Sequence, residues 1–140
     1  MILFDSSVVI DARDIDSPFH EWAMRQIAAA VQDGGEGRAV NTIVVSEASV
    51  RAENREAVPA LLEGMGLRLV PLPVSAAIPA ANAFAIYLDR LKQDGRKTEN
   101  RLPLPDFLIG AHAEADGMKL VTRDPDRVKT YFPDVRLITP

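Results

Sequence analysis

Three apolar residues, Ile2-Leu3-Phe4, run directly into Asp5 at the start of the chain. A short, unbroken apolar run reads as a strand covered on both faces, the habit of a parallel sheet. The pattern returns at Leu120-Val121-Thr122, which meets Arg123-Asp124. Further short strands are expected at Arg38 to Asn41, Leu67 to Leu72 and Arg136 to Ile138, with helical stretches between them. Strands alternating with helices predict a three-layer α/β/α fold with a mostly parallel central sheet. In such folds an acid just beyond a strand's carboxyl end stands at the mouth where ligands bind. Taken alone, Asp5 is equally a turn residue, because Asp also closes turns.

The helices follow from capping and spacing. Val8-Val9-Ile10 and the acids Asp11, Asp14 and Asp16 lead to Ser17-Pro18, read as N-cap and first helical residue of a helix from about Phe19 to Gln32, stopped by Asp33-Gly34-Gly35. Thr42 is read as the cap of a helix over 43–52, and a helix from about Arg55 to Glu63 follows. Pro71 near the end of the Leu67 to Leu72 strand suggests an edge position. Ser75 is read as the cap of an Ala-rich helix over 76–92, with Ile78, Ala81, Ala85 and Leu88 as a stripe for the core or a dimer surface. Pro105-Asp106 opens a helix whose apolar face is Phe107, Leu108, Ala111 and Ala115, and Gly117 ends it. His112 in that helix has no second His or Cys at ligand spacing and reads as structural. Val128 to Phe132 is a last helical turn before Pro133.

Where the acids fall is the chemical question. Asp5 and Asp124 lie just past two strands; if both strands are central and parallel, the two acids share one mouth. Asp106 opens the helix leading into the second strand, and a right-handed crossover starts that helix at the mouth as well. Glu47 shares a helix side with Ile43, Val44 and Val50, an unusual place for a carboxylate unless it is paired or metal-bound. A half-exposed Glu47 satisfied by Arg51 is the alternative. Four carboxylates at one mouth cannot all ionise without compensation. A hard divalent cation supplies it, and oxygen-only ligands suit Mg²⁺ or Mn²⁺ with a phosphate substrate. The implied chemistry is metal-assisted phosphodiester hydrolysis. Asp126, two residues after Asp124, competes for the fourth position.

The remaining composition narrows the field. At 140 residues the chain is expected to be one domain, residues 1–140. There is no Cys, which excludes disulfides, thiolate metal sites and a Cys nucleophile and fits a cytoplasmic protein. No apolar run approaches the ~20 residues of a membrane span, and the N-terminus has no signal-peptide pattern. The net charge of −4 argues against broad electrostatic coating of nucleic acid. A local basic run, Gly95 to Arg101, leaves Arg96, Lys97 and Arg101 as candidate phosphate contacts, with a solvated loop as the alternative.

Four segments together carry a family resemblance. Phe4-Asp5-Ser6-Ser7-Val8 opens the chain; Val40-Asn41-Thr42-Ile43-Val44-Val45-Ser46-Glu47 follows; Leu104-Pro105-Asp106-Phe107-Leu108-Ile109-Gly110-Ala111-His112-Ala113 is the third; and Leu120-Val121-Thr122-Arg123-Asp124, followed by Tyr131-Phe132-Pro133, is the fourth. In this order and at these distances the chain resembles the PIN-domain endoribonucleases that act as VapC toxins of type II toxin–antitoxin pairs. The resemblance implies a sheet order like 3-2-1-4-5 with the first strand central. It implies Asp5, Glu47, Asp106 and Asp124 as catalytic metal ligands for Mg²⁺ or Mn²⁺, and Ser7 and Thr122 as residues that orient the acids. Arg123 joins Arg96, Lys97 and Arg101 as an RNA-binding candidate. The implied partners are an RNA substrate (a tRNA or another structured RNA), a VapB-type antitoxin and a second copy of the chain. Ser7 departs from the family, which often has Asn there.

Other readings fit less well. A haloacid dehalogenase-type phosphotransferase needs an Asp two residues after the first, where Ser7 stands. A receiver-type signalling domain wants paired acids after the first strand and a Lys after the fifth, and has neither. A catalytically silent PIN-like module that binds RNA or protein stays open.

Overall fold

In the computed structural model, which describes residues 1–29, 37–96 and 103–140, Ile2–Phe4 forms β1 and sits at the centre of one sheet. Arg38–Asn41 (β2) and Lys119–Val121 (β4) flank it; Arg68–Val70 (β3) and Leu137–Ile138 (β5) are the edges. The order is β3-β2-β1-β4-β5 and every pairing is parallel. The edge position of β3 agrees with Pro71. Parallel neighbours need crossovers, and helices supply them: Ser6–Arg13 (α1), His20–Ala28 (α2), Thr42–Ser49 (α3), Val58–Gly64 (α4), Ala77–Gln93 (α5), Leu104–Ala115 (α6) and Asp126–Tyr131 (α7). The result is the three-layer α/β/α arrangement. Leu3, Phe4, Ala39, Val40, Leu120 and Val121 are all buried, so the central strands are covered on both faces. None of the described helices is long and apolar enough to cross a membrane.

Several local expectations give way to tertiary context. Residues 6–13, read only as a passage toward Ser17, form α1. Val8 and Val9 are weak helix formers, but both are fully buried, and packing outweighs propensity. Ser17 does not cap a helix: its hydroxyl donates to Asp11 Oδ1 at 2.7 Å and accepts from Phe19 N at 3.1 Å, closing a turn, and α2 begins at His20. The cap of α3 is Asn41, not Thr42; Asn41 Oδ1 accepts from the N–H groups of Ile43 and Val44, both at 3.1 Å. Ser75 lies in a 3-10 turn, Val74–Ala76, and makes no cap bond to α5.

Of the α5 stripe, Leu88 is half-buried and the other three residues are on the surface rather than in the core. Ile78 is 68% exposed, and Ala81 and Ala85 are exposed too. The inward face belongs instead to Ala80, Ala83 and Leu91, with Phe84 and Tyr87 packing on Phe107 of α6. Two aromatic rings bury more area than alanines can, so they decide how the helix is rotated. Ala115 at the end of α6 is likewise exposed. The expected end of the second helix at 30–32 and its Asp33-Gly34-Gly35 stop lie outside the described residues.

Candidate active site

Strand register brings the first two site residues together. Phe4 pairs with Val121, so Asp5 and Thr122 leave the sheet side by side. Asp5 then serves two ends at once. Its Oδ1 accepts from Ser6 N at 2.7 Å and caps α1. Its Oδ2 accepts from Thr122 Oγ1 at 2.8 Å and Ser7 Oγ at 3.0 Å. Both hydroxyls belong to residues that the resemblance put forward as orienting the acids. Burial raises the pKa of Asp5, the hydroxyls of Thr122 and Ser7 work against that rise, and the charge of Asp106 adds to it. Burial and a second acid both disfavour the charged form of Asp5, and a cation beside it would favour that form.

The other acids line the same cleft, of about 1000 Å³, over the carboxyl ends of β1 and β4. Glu47, half-buried on α3, accepts a hydrogen bond from Ser6 Oγ. That hydroxyl, rather than only a neighbouring Arg, accounts for a Glu beside an apolar face. Asp106, in the first turn of α6, accepts from Arg127 Nη1 of α7. Asp124 lies on the cleft wall, 74% exposed, with Arg123 Nε 3.6 Å from its Oδ2. Its backbone N–H donates to Thr122 Oγ1 at 3.1 Å, which ties the loop after β4 to the hydroxyl that holds Asp5. Asp126 begins α7 and is not among the lining residues.

The basic residues are distributed differently from the sequence expectation. Arg123 lines the cleft, but its Nη1 donates to both carboxylate oxygens of buried Asp11, at 3.0 and 3.1 Å, and its guanidinium lies 5.4 Å from the Phe19 ring centre. It is a strut between α1 and the β4 loop as much as a surface cation. Arg96 is exposed just past α5 and does not line the cleft. Lys97 and Arg101 lie outside the described residues. Arg13, Arg51 and Arg127 do line it. Spacing pointed to Arg51 only as a neighbour of Glu47 and gave no warning of Arg13 or Arg127, which sit on different elements. Ser6 was missed in the same way: only the approach of α3 to α1 gives its hydroxyl a carboxylate to bind.

His112 is structural. It is buried, 3.1 Å from Asn41 Nδ2 through Nδ1 and 3.2 Å from Asp116 Oδ2 through Nε2. Asn41 Oδ1 is already committed to the α3 cap, so the Asn41 amide donates and His112 Nδ1 accepts. The proton of the neutral ring is therefore on Nε2.

The donor set suits a hard divalent cation: it is all oxygen, it comes from four elements at one mouth, and Asp5 and Asp106 repel. As the side chains stand, no three acidic or His groups among the described residues are close enough to hold a metal ion together. Glu47 and Asp106 are turned to Ser6 and Arg127.

The PIN domain family profile matches residues 2–133. Solved structures match over nearly the whole chain. They include VapBC2 from Rickettsia felis bound to a DNA fragment from their promoter, at 18% identity and TM-score 0.61, covering 100% of this chain and 99% of that one. VapBC-1 from nontypeable Haemophilus influenzae matches at 17% identity and TM-score 0.63, covering 99% and 98%. FitAcB from Neisseria gonorrhoeae matches at 19% identity and TM-score 0.59, covering 99% and 96%. At these identities the likeness is one of fold. No curated protein sequence matches the chain.

Proposed function

Because the chain belongs to the PIN-domain family, we propose that it is a Mg²⁺- or Mn²⁺-dependent endoribonuclease and the toxin of a type II toxin–antitoxin pair. One observation carries this reading: Asp5, Glu47, Asp106 and Asp124, from four separated segments, line a single cleft in which the charge of Asp106 opposes that of the buried Asp5 carboxylate. Asp5 and Asp106 would hold the cation, with Glu47 and Asp124 completing the set. When bound, the metal supplies an activated water and charge stabilisation for hydrolysis of a phosphodiester.

The chain's own residues do the rest. Thr122 and Ser7 hold the Asp5 carboxylate in one orientation. Ser6 holds Glu47 and so links α3 to α1 at the cleft wall. Arg13 and Arg51 line the cleft and offer the RNA backbone cationic donors. Arg13 Nη1 also donates to Ala48 O at 3.0 Å, which fixes its stem against α3. The substrate of this reading is a folded RNA such as a tRNA, and the compartment that goes with it is the cytoplasm. The fold's likeness to VapBC and FitAcB complexes supports a VapB-type antitoxin as partner and, with the resemblance, a homodimer.

A silent PIN-like binding module is the second reading, favoured by the engagement of Glu47 with Ser6 and of Asp106 with Arg127. Incubating the protein with total RNA in Mg²⁺ or Mn²⁺, with and without EDTA, separates the two. Cleavage that EDTA stops supports the nuclease; RNA left intact in both metals supports the silent module. Mapping the ends produced identifies the target.

A further inference from the structure

We propose that Arg127 is a built-in counter-cation of the acidic cleft: it holds Asp106 when no metal is bound, gives that carboxylate up to an incoming divalent cation, and then faces the phosphate of the RNA. The inference rests on the metal-dependent reading above. Arg127 stands on α7, which shares no sequence neighbourhood with α6, yet its Nη1 donates to Asp106 Oδ2 across the cleft. The guanidinium lies 5.6 Å from the Tyr87 ring centre and 5.9 Å from that of Phe107. The Arg127 side chain keeps 32% exposure and lines the cleft, so the group is seated but not sealed.

Charge gives the seat its consequence. A guanidinium and a divalent cation on one carboxylate repel at short range, so the two compete for Asp106. Asp106 also bears on Asp5, so whichever cation holds Asp106 affects both acids. Once displaced, a planar fork resting on two rings is suited to a phosphate, which it can grip through two N–H groups. Arg127 thus acts on the metal site through Asp106 and on the substrate through its own N–H groups.

The test is Mn²⁺ binding, followed by calorimetry and by the electron paramagnetic signal of free Mn²⁺, in the wild type, Arg127→Gln and Arg127→Lys. Loss of one partly exposed competing ion pair predicts a Kd roughly three- to fivefold lower for Arg127→Gln, with Arg127→Lys near the wild type. A purely structural role for Arg127 predicts weaker Mn²⁺ binding instead. Equal or weaker binding by folded Arg127→Gln overturns the proposal while leaving the metal site standing. Wild-type protein that binds no Mn²⁺ overturns both. Wild-type NMR covers the case in which Arg127→Gln does not fold: the Arg127 Nε–Hε resonance should move on Mg²⁺ titration, and a resonance that stays fixed through saturation overturns the proposal.

Discussion

Thr122 Oγ1 donates to Asp5 Oδ2 at 2.8 Å across 117 positions of sequence, from the end of one central strand to the end of its neighbour. Parallel register makes this contact, since Phe4 and Val121 pair and the next residue on each strand leaves the sheet in step. Thr122→Val keeps the shape and removes the donor. It should lower RNA cleavage by roughly 10- to 100-fold, as loss of a group that orients a metal ligand does. The fold should lose only about 1 kcal/mol. Cleavage kinetics beside urea denaturation separate the two effects; unchanged kinetics would remove Thr122 from the site.

Asp5→Asn and Asp106→Asn should each reduce cleavage to background while circular dichroism and melting stay those of a folded protein. Both substitutions keep size and remove charge. Full activity in either variant would refute the assignment of that acid. Expression of the wild type alone should arrest bacterial growth and Asp5→Asn should relieve it; arrest that persists would require a mechanism other than cleavage.

Gly110 sits where α6 meets Phe132. A Cβ at this position would come within 2.6 Å of Phe132 Cδ2 and 2.8 Å of Cε2. Gly110→Ala therefore forces the ring to shift and should destabilise the protein by about 1–3 kcal/mol, the range of overpacked cores. Urea midpoints measure it. Phe132→Leu in the same background should recover part of the loss by opening the space.

His112 gives the fold a pH dependence of known sign. Burial lowers its pKa below the usual 6.5, and the charge and hydrogen bond of Asp116 offset part of that. The unfolded chain therefore binds a proton at a pH where the folded chain does not. The contribution to stability is fully present above the unfolded value and is lost as pH falls through the folded one. Urea stability should be flat just above neutrality and decline below about pH 6.5, and His112→Gln should flatten that decline. An equal slope in the variant would assign the effect to other groups.

The chain in one dimension determined the alternation of short apolar strands with helices, because burial on two faces leaves only apolar residues at those positions. It also determined that Asp5, Glu47, Asp106 and Asp124 are held by different elements, and motif order supplied the sheet order by resemblance. The caps were less legible: Asn41, Thr42 and Ser75 all carry capping chemistry, and only the path of the backbone decides which is used. The rotation of α5 was undecided for a related reason. Its stripe and its aromatic face are both at helical spacing, and the position of Phe107 on another helix selects between them. Asp5 was a turn residue or a candidate site residue on sequence alone; in the structure it caps α1 through one oxygen while Thr122 and Ser7 hold the other at the cleft. What tertiary structure alone decided is the pairing at and behind the cleft wall: Ser6 with Glu47, Arg127 with Asp106, Arg123 with Asp11. A side chain's partner depends on how whole elements approach one another, and no local spacing encodes that.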